Sequence, residues 1–277
     1  MRSLPFVLVL LACGRTPDGP ATPASIATPP DSSIRAPDGS PLPDGELGRS
    51  IRRGHAILAA TRDSLPDHVG STLRCTSCHL GDGRLKTALP LTGVYARFPQ
   101  YRARAGMVQR LEDRINDCFL RSLNGRALAF DDPAMREIVS YLAFISRGVS
   151  VGEGESQPLT GPGAGDTLAG GQVFRAQCAR CHGADGAGVG VFPPLWGKQS
   201  FNIAAGMARV RTLASFVRHN MPQDRPGSLS DLDALNVATY IASRPRPDFA
   251  GKERDWPHGD APPDNPYATI ASPRPPK

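Results

Sequence analysis

Apolar positions recur at helical spacing in two separate blocks of the chain. In the first block Leu47, Ile51, His55 and Leu58 form one stripe of "GELGRSIRRGHAILAATRD" (45–63), with Asp44 placed to cap it. That block closes on "DDPAMREIVSYLAFISRG" (131–148), where Asp132 is the expected N-cap, Pro133 the first helical residue and Gly148 the stop. The second block repeats the plan. Asp166 or Thr167 caps "LAGGQVFRAQCARC" (168–181), in which Leu168, Gly171 and Phe174 fall at helical spacing. It ends in "SLSDLDALNVATYIASRP" (228–245), with a Ser/Asp start and a Pro stop. Within the first block, "RINDCFLRSLNG" (114–125) reads as a further helix with Leu111, Ile115 and Phe119 as its apolar contacts. It sets Arg114, Cys118 and Ser122 four residues apart on nearly one face.

The remaining segments lack this periodicity. "MRSLPFVLVLLACG" has one Arg, an apolar run from Leu4 to Leu11 and then Cys13, the layout of a bacterial export signal, and the run is too short to span a bilayer. Its "LLAC" ending resembles a lipobox, so Cys13 is expected to carry a lipid and hold the protein at a membrane in the periplasm. An ordinary secretory signal is the competing assignment. Residues 14–45, rich in Pro, Ser, Thr and Gly, cannot bury a core and read as a disordered tether. "VGEGESQPLTGPGAG" (151–165) reads as a Gly/Pro linker. The Pro-rich residues after 243 are expected to wrap over the surface or stay mobile.

A formal charge of +6 invites thoughts of nucleic acid, but no Lys/Arg block interleaved with aromatics accompanies it. Scattered, solvating Arg residues account for the charge, and no nucleic-acid partner is expected.

Both blocks contain C-x-x-C-H: Cys75, Cys78 and His79 in one, Cys178, Cys181 and His182 in the other. Two thiols three positions apart can each form a thioether to a haem vinyl group, and the adjacent His then faces the iron. A zinc site or a thioredoxin-like pair does not require that His. The expected cofactors are two covalently bound haem c groups, with His79 and His182 as proximal ligands. The expected fold is all-α, two tandem class I-like cytochrome c domains at 46–149 and 166–243. Around them lie the signal (1–13), the tether (14–45), a linker (150–165) and the tail (244–277).

A second axial ligand is needed on each haem. In the second domain Met207, His219 and Met221 are available, and "RHNMP" resembles the Met loop of ordinary cytochromes c. Met221 lies 39 residues after His182, and 39 residues after His79 stands Cys118. The duplicated frame thus puts Cys118 in the slot of Met221. A buried free thiol is the competing assignment, and a lone thiol in an oxidising compartment, in register with a haem ligand, argues against it. Thiolate favours ferric iron and thioether raises the potential, so electrons should run from the Cys118 haem to the Met221 haem.

"CTSCHL" (75–80), "FPQYRARAG" (98–106), "LEDRINDCFLRSLNG" (111–125), "LWGKQSFNIAAGMARV" (195–210) and "FVRHNMP" (216–222) together resemble the thiosulfate dehydrogenases of the dihaem c-type family. They resemble more loosely the haem- and cysteine-bearing subunit of sulfur-oxidising complexes. The resemblance implies that Cys118 is the thiolate ligand of a catalytic haem, that Arg104, Arg114 and Ser122 line a sulfur-anion pocket, and that Met221 ligates an electron-transfer haem. It implies oxidation of thiosulfate to tetrathionate, or the reverse, with an external electron acceptor. Guanidinium groups suit such a pocket, because two thiosulfates bring about four negative charges together. Arg102 is the better candidate for a haem propionate. Some family members carry Lys immediately before the Met ligand; here that residue is Asn220, so a Lys/Met exchange is not expected. The rival readings are a membrane-tethered dihaem electron carrier with no substrate of its own and a redox or gas sensor. Neither requires the Arg114/Cys118/Ser122 stripe.

Overall fold

Helices α1 (Gly45–Ala59), α2 (Thr61–Ser64), α3 (Leu111–Asp117) and α4 (Pro133–Phe144) build the first half of the chain. Helices α5 (Thr167–Val173), α6 (Ala179–His182), α7 (Val210–Asn220) and α8 (Asp231–Ala242) build the second. The computed structural model describes residues 34–150, 159 and 165–273. Cys13, the signal, the tether through residue 33 and most of the linker lie outside the described residues.

In each half the first and last helices cross at a glycine. A Cβ added at Gly54 of α1 would sit 2.0 Å from the Glu137 carbonyl oxygen of α4, and one added at Gly170 of α5 would sit 2.0 Å from that of Asn236 on α8. Only a residue without a side chain lets two backbones approach that closely. The next turn of the partner helix supplies Tyr141 in one half and Tyr240 in the other, each with its Cβ against that glycine. The crossing decides which apolar residues are buried. Ile51, His55, Leu58 and Phe174 go inside, whereas Leu47 is 57% and Leu168 is 81% exposed. Leu168 points away because the buried face of α5 runs through Gly170 and Gly171.

The caps follow the sequence with one exception. Asp132 accepts a hydrogen bond from the Ala134 amide, Asp166 from the Leu168 and Ala169 amides, and Ser230 from the Asp233 amide. Asp44 stands at the start of α1 but makes no capping bond.

Three expectations need correction. The fold is mostly helical rather than all-α: β1 (Gln100–Arg102) and β2 (Met107–Gln109) pair antiparallel, with Tyr101 opposite Val108. Gly106, at φ +65°, closes the turn between them, a conformation that costs glycine nothing. The predicted helices 114–125 and 168–181 are not continuous α-helix. Each contains a five-residue π-helical turn, Cys118–Ser122 and Phe174–Cys178. Finally, the end of the presumed tether is structured. Arg35 pairs with Pro41, Ala36 is buried, and the Arg35 carbonyl accepts a hydrogen bond from Arg84. The tail takes the first of its two expected fates. It lies along the body, with Trp256 and Tyr267 buried against Ala204.

Among the described residues no helix is long and apolar enough to cross a membrane. The halves share one hydrophobic core and are further joined by polar contacts. Asn220 donates to the Thr87 carbonyl and accepts from its hydroxyl at 2.9 and 2.8 Å, and Asn202 bonds the backbone at Leu120 and Arg121.

Candidate functional site

Each C-x-x-C-H motif opens onto its own cavity. The first, of about 710 Å³, is lined by Cys75, Cys78 and His79 on one side of the chain's path and by Arg114, Cys118 and Ser122 from α3 and the π-turn. The second, of about 760 Å³, is lined by Cys178, Cys181 and His182 together with Met221. Of the three sulfur and nitrogen candidates in the second half, Met221 and Met207 line this cavity and His219 does not.

The motif histidines are held alike. Nδ1 of His182 faces the Pro193 carbonyl at 2.8 Å, and Nδ1 of His79 faces that of Leu89. A carbonyl partner places the proton on Nδ1 and leaves the Nε2 lone pair free for a metal. Burial lowers the pKa of His79 to about 4 and also lowers that of His182, so both rings are neutral. Burial pushes the thiols of Cys75 and Cys178 up to about 11 and that of Cys78 to about 12, as for apolar side chains rather than reactive thiolates.

Cys118 sits in a different environment. Arg114 Nη1 donates to its Sγ at 2.8 Å, one turn before it on the chain. The attraction of the Cys118 sulfur raises the pKa of Arg114 against the opposing cost of burial. The π-turn inserts one residue per turn relative to α-helix, and the Leu123 amide closes it on the Cys118 carbonyl. The stripe expected from α-helical spacing is therefore bent at Cys118, yet all three members still reach the same cavity.

Arg102 and Arg104 part company. Arg102 lines the first cavity, as do Arg74, Arg97 and Arg209. Arg104 is not among its lining residues. Its guanidinium lies 4.5 Å from the centre of the Trp256 ring and donates to the Ala204 carbonyl at 2.6 Å. Arg97 and Arg209 escaped the sequence reading: Arg209 belongs to the second half, and nothing in linear spacing relates it to Cys118. Arg97 Nε is buried with no partner. An unpartnered cationic donor facing a cavity that also presents two thiols and a neutral imidazole fits a haem, whose propionates would supply the missing acceptor. Among the described residues no carboxylate lines this cavity.

A family model described as the SoxA/TsdA cytochrome c domain matches residues 69–151, and one described as cytochrome c oxidase, cbb3-type, subunit III matches 165–241. The chain is 47% identical over 235 residues to the thiosulfate dehydrogenase of Allochromatium vinosum, covering 80% of this chain and 87% of that protein. It is 40% identical over 248 residues to the thiosulfate dehydrogenase of Psychrobacter arcticus, covering 84% and 74%. Among solved structures, the thiosulfate dehydrogenase TsdBA of Marichromatium purpuratum is similar at TM-score 0.73 and 32% identity. That match takes in 81% of this chain and 52% of the other, so this chain spans about half of that one.

Proposed function

The chain belongs to the thiosulfate dehydrogenase family of dihaem c-type cytochromes, and from that premise we propose that it couples two thiosulfates to one tetrathionate at the first cavity. The reaction forms one S–S bond between the terminal sulfurs, releases two electrons and leaves a dianion. The observation that carries the reading is the Arg114–Cys118 contact inside a cavity lined by arginines and, among the described residues, no carboxylate. Each covalently bound haem, when present, supplies a one-electron acceptor, so two together match the two electrons released.

In this reading Cys75, Cys78, Cys178 and Cys181 would hold the haems covalently, and His79 with Cys118 and His182 with Met221 would bind their irons. Arg114 holds the anion beside Cys118 by a charge-assisted bond, and Ser122 adds a neutral donor. Arg104 is placed one layer back, where its charge adds to the field on the anion without lining the cavity. Arg102 and Arg97 serve the propionates. Asn220, tied to Thr87, cannot supply the amine that a Lys would, which supports Met221 as the sole distal ligand of its haem. An electron carrier with no substrate needs no cation on the ligand side of one haem, so the Arg114 contact disfavours that alternative. We place the protein in the periplasm, anchored through a lipid on Cys13, passing electrons to an external acceptor.

The test is anaerobic turnover of the purified, haem-loaded protein with thiosulfate and an artificial oxidant, tetrathionate being quantified. Stoichiometric tetrathionate supports the reading. Reduction by a chemical donor without any response to thiosulfate or tetrathionate would return the protein to the electron carriers.

A further inference from the structure

Residues after 241 lie beyond both matched family models, yet they hold Arg104 and Arg121, which stand behind the lining of the first cavity. We infer that the segment 249–267 is the positioning element of the sulfur-anion site. Trp256 holds Arg104 by its ring face, and Asp255 holds the π-turn bearing Cys118 and Ser122 by way of Arg121. The inference rests on the proposed thiosulfate chemistry.

The contacts are built rather than incidental. The Trp256 amide donates to the Arg104 carbonyl at 2.9 Å while its ring stacks on the Arg104 guanidinium, so one tail residue fixes both ends of that arginine. Trp256 is 4% exposed and adopts φ +52°, a left-handed conformation that a bulky residue takes only when its surroundings impose it. Gly106 leaves the room: a Cβ there would meet Pro257 at 2.4 Å. Next along, Asp255 grips Arg121 bidentately at 2.7 and 2.9 Å and accepts the Tyr267 hydroxyl at 2.6 Å. Arg121 stands immediately before Ser122 within the π-turn, and Phe249 covers its guanidinium at 4.5 Å.

The electrostatics explain why such a clamp is needed. The pKa of Arg104 falls chiefly through burial; Arg121 and Arg114 also lower it, while Tyr267 and Asp255 of the tail act the other way. Without the Trp256 ring face and the Asp255 carboxylate, Arg104 and Arg121 would lose these holds, and the positive field behind the cavity would disperse. Trp256 and Asp255 touch no reacting atom; they are positioning residues.

The experiment titrates ferric, haem-loaded, acceptor-free protein with thiosulfate, reads the visible spectrum, and compares steady-state KM and kcat. Trp256→Leu should weaken thiosulfate binding and raise KM about tenfold, with two haems still attached. Trp256→Phe, which keeps a weaker ring face, should leave a rise of only about threefold. Asp255→Asn should alter the ferric spectrum of the Cys118 haem, because the π-turn loses its anchor. A wild-type protein blind to thiosulfate would defeat the functional reading itself. A wild-type response matched in affinity by both Trp256 variants would overturn the role of Trp256, and an unchanged spectrum in Asp255→Asn would overturn that of Asp255. If Trp256→Leu loads fewer than two haems, Trp256→Phe decides alone, an unchanged affinity counting against the inference. A tail that merely stabilised the fold would lower the unfolding temperature and leave the affinity of the folded protein untouched.

Discussion

The two halves of this molecule share a scaffold and differ in what they aim at the cavity. Both cross their terminal helices at a glycine, both carry C-x-x-C-H, and both fix the motif histidine through a backbone carbonyl. Their π-turns fall on opposite sides of the site. In the first half the turn carries Cys118; in the second it leads into the attachment motif, ending at Cys178. The charges differ further. Arg114 bonds the Cys118 sulfur of the first cavity, which among the described residues has no carboxylate in its lining, whereas Arg180 of the second is paired with Asp224 at 2.5 Å and the cavity includes Asp82. The two halves thus differ in local charge on a common frame, the difference on which the proposed division of labour rests.

The strongest test exchanges the sulfur ligands for nothing. Cys118→Gly should reduce thiosulfate turnover to background while a pyridine haemochrome assay still finds two haems. Met221→Gly should instead lower the potential of the second haem in a spectroelectrochemical titration and leave the thiolate signature of the first intact. If the two variants behave alike, the asymmetry between the halves is not functional. Next in size is the cation. Arg114→Gln should keep that signature yet lower kcat/KM by roughly 10–150-fold, since a charge-assisted bond contributes about 1.5–3 kcal/mol.

The shared frame is tested by Gly54→Ala and Gly170→Ala. Each forces a methyl group against a backbone carbonyl, and each should cost about 1–3 kcal/mol in denaturant unfolding, similarly in the two halves. A cost in one half only would show that the crossings are not equivalent. The smallest effect belongs to Ser122→Ala. Loss of a neutral hydrogen bond of about 1 kcal/mol predicts a fall in kcat/KM of roughly fivefold, with unchanged spectra and stability.

Much of this site was legible before any coordinates. The C-x-x-C-H motifs, the Asp132 cap and the Ser/Asp start of the last helix follow from short-range spacing, and the cavity-facing positions of Cys118 and Met221 follow from the 39-residue register repeated in the two halves. Spacing fails where the helix does not keep α-geometry. The π-turns are invisible to a 3.6-residue period, and the hairpin at 100–109 is too short to impose an alternating pattern. The sequence reading set Arg104 in the cavity lining, whereas Arg102 lines it and Arg104 stacks on Trp256, some 150 residues away, a contact that linear position does not reveal.

The division has a physical cause. The C-x-x-C-H motifs and helix caps are local chemistry, set by residues within a turn or two of one another, and the 39-residue register is a repeat of linear order, so the chain's sequence determined them. The exposure of Leu47 and Leu168, the seating of the tail and the gathering of Arg97, Arg114 and Arg209 around one cavity are long-range outcomes. They depend on how closely two backbones can approach at Gly54 and Gly170, and on which buried charges find a partner. Only the folded arrangement supplies those distances, and only it decided them.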